Sequence, residues 1–132
     1  LNMELALLII RLVLGLTMMG HGAQKLFGWF GGHGPRGTGG WFESIGMKPG
    51  VLMAVLAGLA EFGGGLLVAT GLFTHVGAAL LILTMIVAIV SVHGKNGYWS
   101  TSGGFEYNLL LIAVLVGLML SGAGDYSLDA LL

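Results

Sequence analysis

Apolar residues fall into four long runs: Leu5–Phe27, Val51–Leu72, Val76–His93 and Tyr107–Ser121. Each approaches the roughly 20 residues a helix needs to cross a bilayer, and the last is shortest in its apolar core. The pattern predicts an all-α integral membrane protein, an antiparallel four-helix bundle with a long Gly/Trp-rich loop, Gly28–Gly50, between its first two helices. A second loop, Gly94–Phe105, lies on the same side, and Phe73-Thr74-His75 reads as a tight turn on the other, with both termini. Small-x-x-x-small pairs, Ala54/Gly58, Ala60/Gly64 and Gly117/Ser121, fit helices that approach closely in lipid.

The polar positions inside these runs carry the functional expectation. Glu61 sits near the middle of Val51–Leu72, and the first run contains Arg11, His21, Gln24 and Lys25. An ionisable group at membrane depth is costly and marks a functional site by default. At about 100° per residue, Arg11, Lys25 and His21 share one helix face within an arc of about 80°. At about 1.5 Å per residue from the loop side, Glu61 lies about 15 Å deep, His21 about 9 Å and Arg11 about 24 Å. Glu61 is therefore within reach of either group if the helices are adjacent. His93 ends the third run, and Glu106 and Asn108 open the fourth, all on the loop side near Lys25. This convergence predicts a pocket opening on that side.

Each residue also has a plainer reading. Arg11 can snorkel to the interface or pair with Glu61, Lys25 can anchor at the headgroups, and Glu61 can be a structural hydrogen-bond partner. His21 and His93 can be satisfied interior histidines. His33 and His75 read as loop residues, and Asp125 and Asp129 as a solvated terminus. Trp29, Trp41, Trp99, Tyr98, Phe30 and Phe105 flank the two loops, either as an aromatic belt or as rings covering a cavity mouth.

Composition narrows the choice of function. The 132 residues read as one domain, residues 1–132, with 56% hydrophobic and 8% charged residues. Soluble domains carry about 25% charged residues, so a lipid environment is expected. A net charge of -1 without a basic tail argues against nucleic acid as a partner. The absence of cysteine excludes disulfides, thiolate metal sites and thiol relays, so redox chemistry must use a bound cofactor or a neighbouring protein. The stretch Gly31–Gly40 lacks the Gly-Lys-Ser/Thr ending of a phosphate loop. His21 and His93 lie at similar depth, but without ligand spacing in one helix haem is disfavoured and no metal site is expected. The first run is too long and too ionised at its far end for a cleaved signal peptide, and an initial leucine leaves the native N-terminus open. Lys25, Arg36, Lys48 and Lys95 favour a cytoplasmic loop side, but lysines recruited to a site would void that count, so orientation is unassigned.

Four segments together resemble the DoxX family of small bacterial membrane proteins. They are Arg11 with Gly20-His21-Gly22-Ala23-Gln24-Lys25-Leu26-Phe27-Gly28; Gly58-Leu59-Ala60-Glu61-Phe62-Gly63-Gly64; His93-Gly94-Lys95-Asn96-Gly97-Tyr98-Trp99; and Gly104-Phe105-Glu106-Tyr107-Asn108. The likeness covers nearly the whole chain, with no departure at these positions. It implies a four-span, multi-pass protein of the bacterial inner membrane, whose relatives are associated with quinol oxidase or thiosulfate:quinone oxidoreductase complexes and with oxidative-stress or catechol pathways. The family supplies no established catalytic residue.

These observations favour an oxidoreductase component that binds a quinone or similar redox-active lipid. Glu61 and His21 are the candidate catalytic groups. Arg11, Lys25, His93, Glu106, Asn108 and Trp99 are the candidate cofactor-binding residues. In this reading His21, Lys25 and His93 donate hydrogen bonds to the headgroup, and Glu61 and Glu106 relay protons. A non-catalytic anchoring or stabilising subunit of a redox complex and a small-molecule transporter are the rival readings, and the expected protein partner is a redox protein or a second copy in a homo-oligomer. Whether the chain is catalytic alone is not fixed by its sequence.

Overall fold

The computed structural model describes residues 1–132 and is entirely helical. Helix α1 spans Met3–Leu26, α2 Gly34–Ser44, α3 Gly50–Thr70, α4 Thr74–Ala88 and α5 Glu106–Ser121. Helix α4 runs on through a π turn, Ile89–His93, and a 3-10 turn, Gly94–Asn96. Three helical stretches, Met3–Leu26, Gly50–Thr70 and Thr74–Asn96, are long and apolar enough to cross a membrane, and α5 is a shorter apolar helix. Their outward apolar surface is the one that meets lipid.

Local chemistry sets the ends of these helices. Asn2 accepts the Leu5 backbone N–H at 3.0 Å, Glu4 occupies the first turn of α1 and Lys25 the last. That charge order complements the helix dipole. Helix α3 stops at Gly71, whose φ of 68° is left-handed and favours glycine.

Packing follows chain order: α1 lies on α3, α3 on α4, and α4 on α5. Close approach between α1 and α3 rests on two glycine pairs. A Cβ on Gly15 would lie 2.6 Å from the Gly65 carbonyl oxygen, and one on Gly22 would lie 2.7 Å from that of Gly58. Both pairs lie on facing stripes, so the antiparallel backbones touch where other residues would hold them apart. Gly64 meets Gly77 of α4 in the same way, whereas Gly117 has nothing within 4 Å and faces outward. The core between the helices is Leu7, Leu14, Met18, Val68, Ala78, Leu81, Met85, Leu115 and Leu118.

The structure corrects the sequence reading at two places. The stretch expected as a Gly/Trp-rich loop contains α2. Four glycines in that helix argue against it on propensity, but Pro35 sits in its first turn and Gly39 packs directly against the start of α3. The Glu43 carboxylate also accepts the Gly50 N–H at 3.0 Å. Tertiary contact thus overrides local preference.

The second correction concerns the C-terminal segment. Asp129, expected to be solvated, accepts hydrogen bonds from the Phe73 N–H at 2.7 Å, the Thr74 N–H at 3.1 Å and the Thr74 hydroxyl at 2.7 Å. It caps the start of α4, where Phe73 holds a left-handed φ of 45°. The tail is further tied by the Leu128 N–H to the Thr70 carbonyl at 3.1 Å, the Asp129 N–H to the Gly71 carbonyl at 2.8 Å, and the Asp125 N–H to the Glu4 carboxylate.

This clasp carries a pH dependence. Burial alone would raise the Asp129 pKa, but the three hydrogen bonds and the nearby His75 outweigh it and hold the carboxyl below its ordinary value. A depressed carboxylate contributes stability that is present above its unfolded pKa and lost as pH falls through the folded one. Asp129→Asn is therefore expected to lower the melting temperature at neutral pH and to converge with the parent chain in strong acid. A constant difference at all pH values would contradict the clasp.

Candidate functional site

A cavity of about 400 Å³ opens between the helices on the α2 side of the molecule. Helix α1 contributes Met18, His21 and Lys25; α3 contributes Met53, Leu56, Ala57, Ala60 and Glu61; α4 and its π turn contribute Met85, Ala88, Ser91 and His93. Tyr107 and Asn108 enter from α5, and Trp41 and Phe42 of α2 close the roof. The lining is predominantly apolar; the α1–α3 wall carries His21, Lys25 and Glu61, while His93 and Asn108 enter from the π turn and α5.

Lys25 and Glu61 form the electrostatic centre of that wall. The Lys25 Nζ lies 2.9 Å from Glu61 Oε1 and donates to Oε2 at 3.1 Å. Glu61 is only 5% exposed, so its charge depends on this partner. The Gly22–Gly58 approach explains the pairing: Gly58 lies against the Lys25 and Leu26 side chains, one turn from Glu61.

The remaining polar groups are held less tightly. His21 makes no side-chain hydrogen bond within the chain, so its ring nitrogens are available to a ligand. His93 Nδ1 lies 2.8 Å from the Gly103 carbonyl oxygen. A carbonyl only accepts, so Nδ1 carries the proton and the neutral ring presents Nε2 as an acceptor. Nε2 becomes a donor when the ring is doubly protonated. The Asn108 amide donates to the Met85 sulfur at 3.5 Å, a weak acceptor that a ligand carbonyl readily replaces. The π turn brings Ser91, Val92 and His93 onto the cavity wall, and such turns recur at functional sites.

The cavity also opens sideways. Leu56 and Leu83, both lining it, are 51% and 57% exposed on the outer faces of α3 and α4.

His21, Lys25, Glu61, His93 and Asn108 thus converge, whereas Arg11, Glu106 and Trp99 do not line this cavity. Arg11 is fully buried near the opposite end, where Nη2 donates to the Tyr126 carbonyl while Nε and Nη1 find no partner. It forms no ion pair, and the Arg11–Glu61 pair weighed above is replaced by Lys25–Glu61. The helical face of Arg11 was read correctly, but its depth assigns it to the C-terminal clasp. Glu106 accepts the Ser100 N–H at 3.1 Å, which orders the loop before α5 rather than serving the cavity. Trp99 is exposed and stacks edge-on against Tyr98, with centroids 4.9 Å apart.

Of the rings that could cover a cavity mouth, Trp41 lines the cavity; Phe42 beside it is a site residue that the sequence does not single out, because the stretch reads as a loop. The available signal was an adjacent aromatic pair at the end of a glycine-rich, low-charge stretch.

Among known proteins, residues 6–94 match the DoxX family. The chain is 34% identical over 130 residues to an uncharacterized membrane protein of Mycobacterium tuberculosis, an alignment covering 91% of this chain and 77% of that one. It is 33% identical over 128 residues to "Putative oxidoreductase CatD" of Bacillus subtilis, covering 97% and 87% respectively. No solved structure matches the chain.

Proposed function

The chain belongs to the DoxX family of membrane proteins, and from that premise we propose that it is a membrane oxidoreductase component binding a quinone or similar redox-active lipid in the 400 Å³ cavity. One observation carries the reading. An apolar chamber, whose lining reaches the outer apolar surface at Leu56 and Leu83, holds His21, Lys25 and Glu61 on its α1–α3 wall, with His93 and Asn108 entering from the π turn and α5. Its size falls within the roughly 300–1,000 Å³ typical of small-molecule sites. A flat ring with two carbonyls and a hydrocarbon tail would suit this chemistry, with Leu56 and Leu83 available to the tail and His21, Lys25 and Glu61 to the ring.

When bound, a quinone supplies reversible electron and proton chemistry that these side chains lack. The protein's own contribution is to bind, orient and exchange protons. His21 and Asn108 would hold the group by hydrogen-bond donation. The Lys25 ammonium would offset negative charge beside it while holding the Glu61 carboxylate. Glu61 would exchange protons with Lys25 and with the bound group. His93 would present Nε2 as an acceptor. In this reading α1, α3, α4 and α5 form a four-helix membrane bundle in a bacterial inner membrane, with α2 at the interface.

The three tryptophans allow a direct test. Trp41 lines the cavity, and Trp29 and Trp99 lie outside it. Titration of the chain in lipid nanodiscs with a short-tailed quinone is expected to quench tryptophan fluorescence saturably. Trp41→Phe should remove the saturable component, and Trp29→Phe or Trp99→Phe should leave it. A saturable component that survives in Trp41→Phe would place the ligand elsewhere.

A further inference from the structure

A second cavity lies behind α2. Its volume is about 620 Å³, and Gln24, His33, Thr38 and the glycine backbone of the loop line most of it. It shares three residues with the apolar chamber: Lys25, Trp41 and Phe42. The two cavities differ sharply in character. One is lined mainly by hydrophobic side chains, Leu56 and Leu83 of α3 and α4 among them; the other is lined mainly by polar residues and by glycines of the segment before and within α2.

We infer that the polar cavity is the aqueous port of the chamber, so that water and protons reach the Lys25–Glu61 pair from the α2 side. Trp41 and Phe42 form the partition that keeps the apolar chamber dry. Lys25 is the charged residue common to both cavities, and its ammonium already contacts Glu61 at 2.9 Å. A proton arriving from the polar side therefore needs only the Lys25 head to reach the buried carboxylate. Glu106 was the rival proton carrier from the loop side, but it is engaged with the Ser100 N–H and lines neither cavity. His33, at the mouth of the port, is the titratable group beside Lys25 there. The arrangement gives the chamber two separate routes: a lateral one for the lipophilic ligand and an aqueous one for protons.

The purpose of the port rests on the quinone reading, but its existence does not, and the test uses no quinone. The chain has no cysteine, so an introduced one is its sole thiol. Thr38→Cys places it in the polar cavity and Ala60→Cys in the chamber. Each variant, in nanodiscs, is reacted with a sulfonated methanethiosulfonate and with N-phenylmaleimide. The ratio of the two rates cancels the thiolate fraction common to both reagents.

Thr38→Cys is expected to favour the charged reagent by roughly tenfold or more over Ala60→Cys, because access governs the rate. Adding Trp41→Ala to Ala60→Cys should raise its ratio toward that of Thr38→Cys, and Trp29→Ala should not. Equal ratios in the unaltered wall would overturn the separation of the two cavities. An unchanged Ala60→Cys ratio in the folded Trp41→Ala background would overturn the partition. If Trp41→Ala does not fold, the Thr38 and Ala60 contrast alone decides. Failure of quinone binding would sink the preceding reading and leave these ratios untouched.

Discussion

Lys25→Met is expected to destabilise the folded chain by about 3 kcal/mol, the lower end of what breaking a buried ion pair costs. Glu61 is 5% exposed and has no other hydrogen-bond donor, so the substitution strands a carboxylate among Met18, Ala57 and Ala60. The lower end applies because the Lys25 side chain is 22% exposed and keeps some contact with water. Glu61→Gln in the same background removes the stranded charge, so the double variant should recover most of the loss. Thermal denaturation in nanodiscs reads both. If the double variant were as unstable as Lys25→Met, Glu61 would not depend on Lys25, and the electrostatic centre of the chamber would be wrongly assigned.

His21→Ala is expected to weaken binding of a short-tailed quinone about tenfold or more while leaving thermal stability nearly unchanged. Loss of one ligand hydrogen bond from a desolvated site corresponds to about 1–3 kcal/mol, and each 1.4 kcal/mol is tenfold in Kd. Stability should hold because His21 makes no hydrogen bond to the protein that its loss would break. Glu106→Gln is the comparison: its carboxylate orders the Ser100 loop and lines no cavity, so affinity should be unaffected. Equal weakening in both variants would mean that the ligand sits near the loops rather than beside α1.

Much of this arrangement is legible in the chain because lipid makes the pattern severe. Three spans follow from apolar length, and Glu61, His21 and Lys25 stand out because charge at that depth is rare. What sequence could not supply is rotation and long-range partnership. Arg11 shares a helix face with Lys25, yet it serves the far end because the Tyr126 carbonyl folds back to meet it. The contact between Asp129 and Phe73 joins positions 56 residues apart and leaves no local mark beyond an uncapped helix start. Helix α2 is hidden by its glycines, which only the packing of Gly39 on Gly50 and Val51 explains. Phe42 is hidden with it, whereas Trp41 shows in the sequence as a ring that can cover a cavity mouth. Glu106 and Trp99 were drawn toward the site by their depth, whereas depth does not say which way a helix-end side chain turns.

The most direct test of the central claim is lipid analysis of the purified chain. Protein extracted in a mild detergent would be washed, its lipids extracted, and quinones counted against protein by mass spectrometry, beside His21→Ala prepared in parallel. Near-stoichiometric quinone in the parent chain, depleted in His21→Ala, is the result expected of a quinone chamber. Bulk phospholipid alone in both, with no saturable quenching by added quinone, would contradict it and favour an anchoring role.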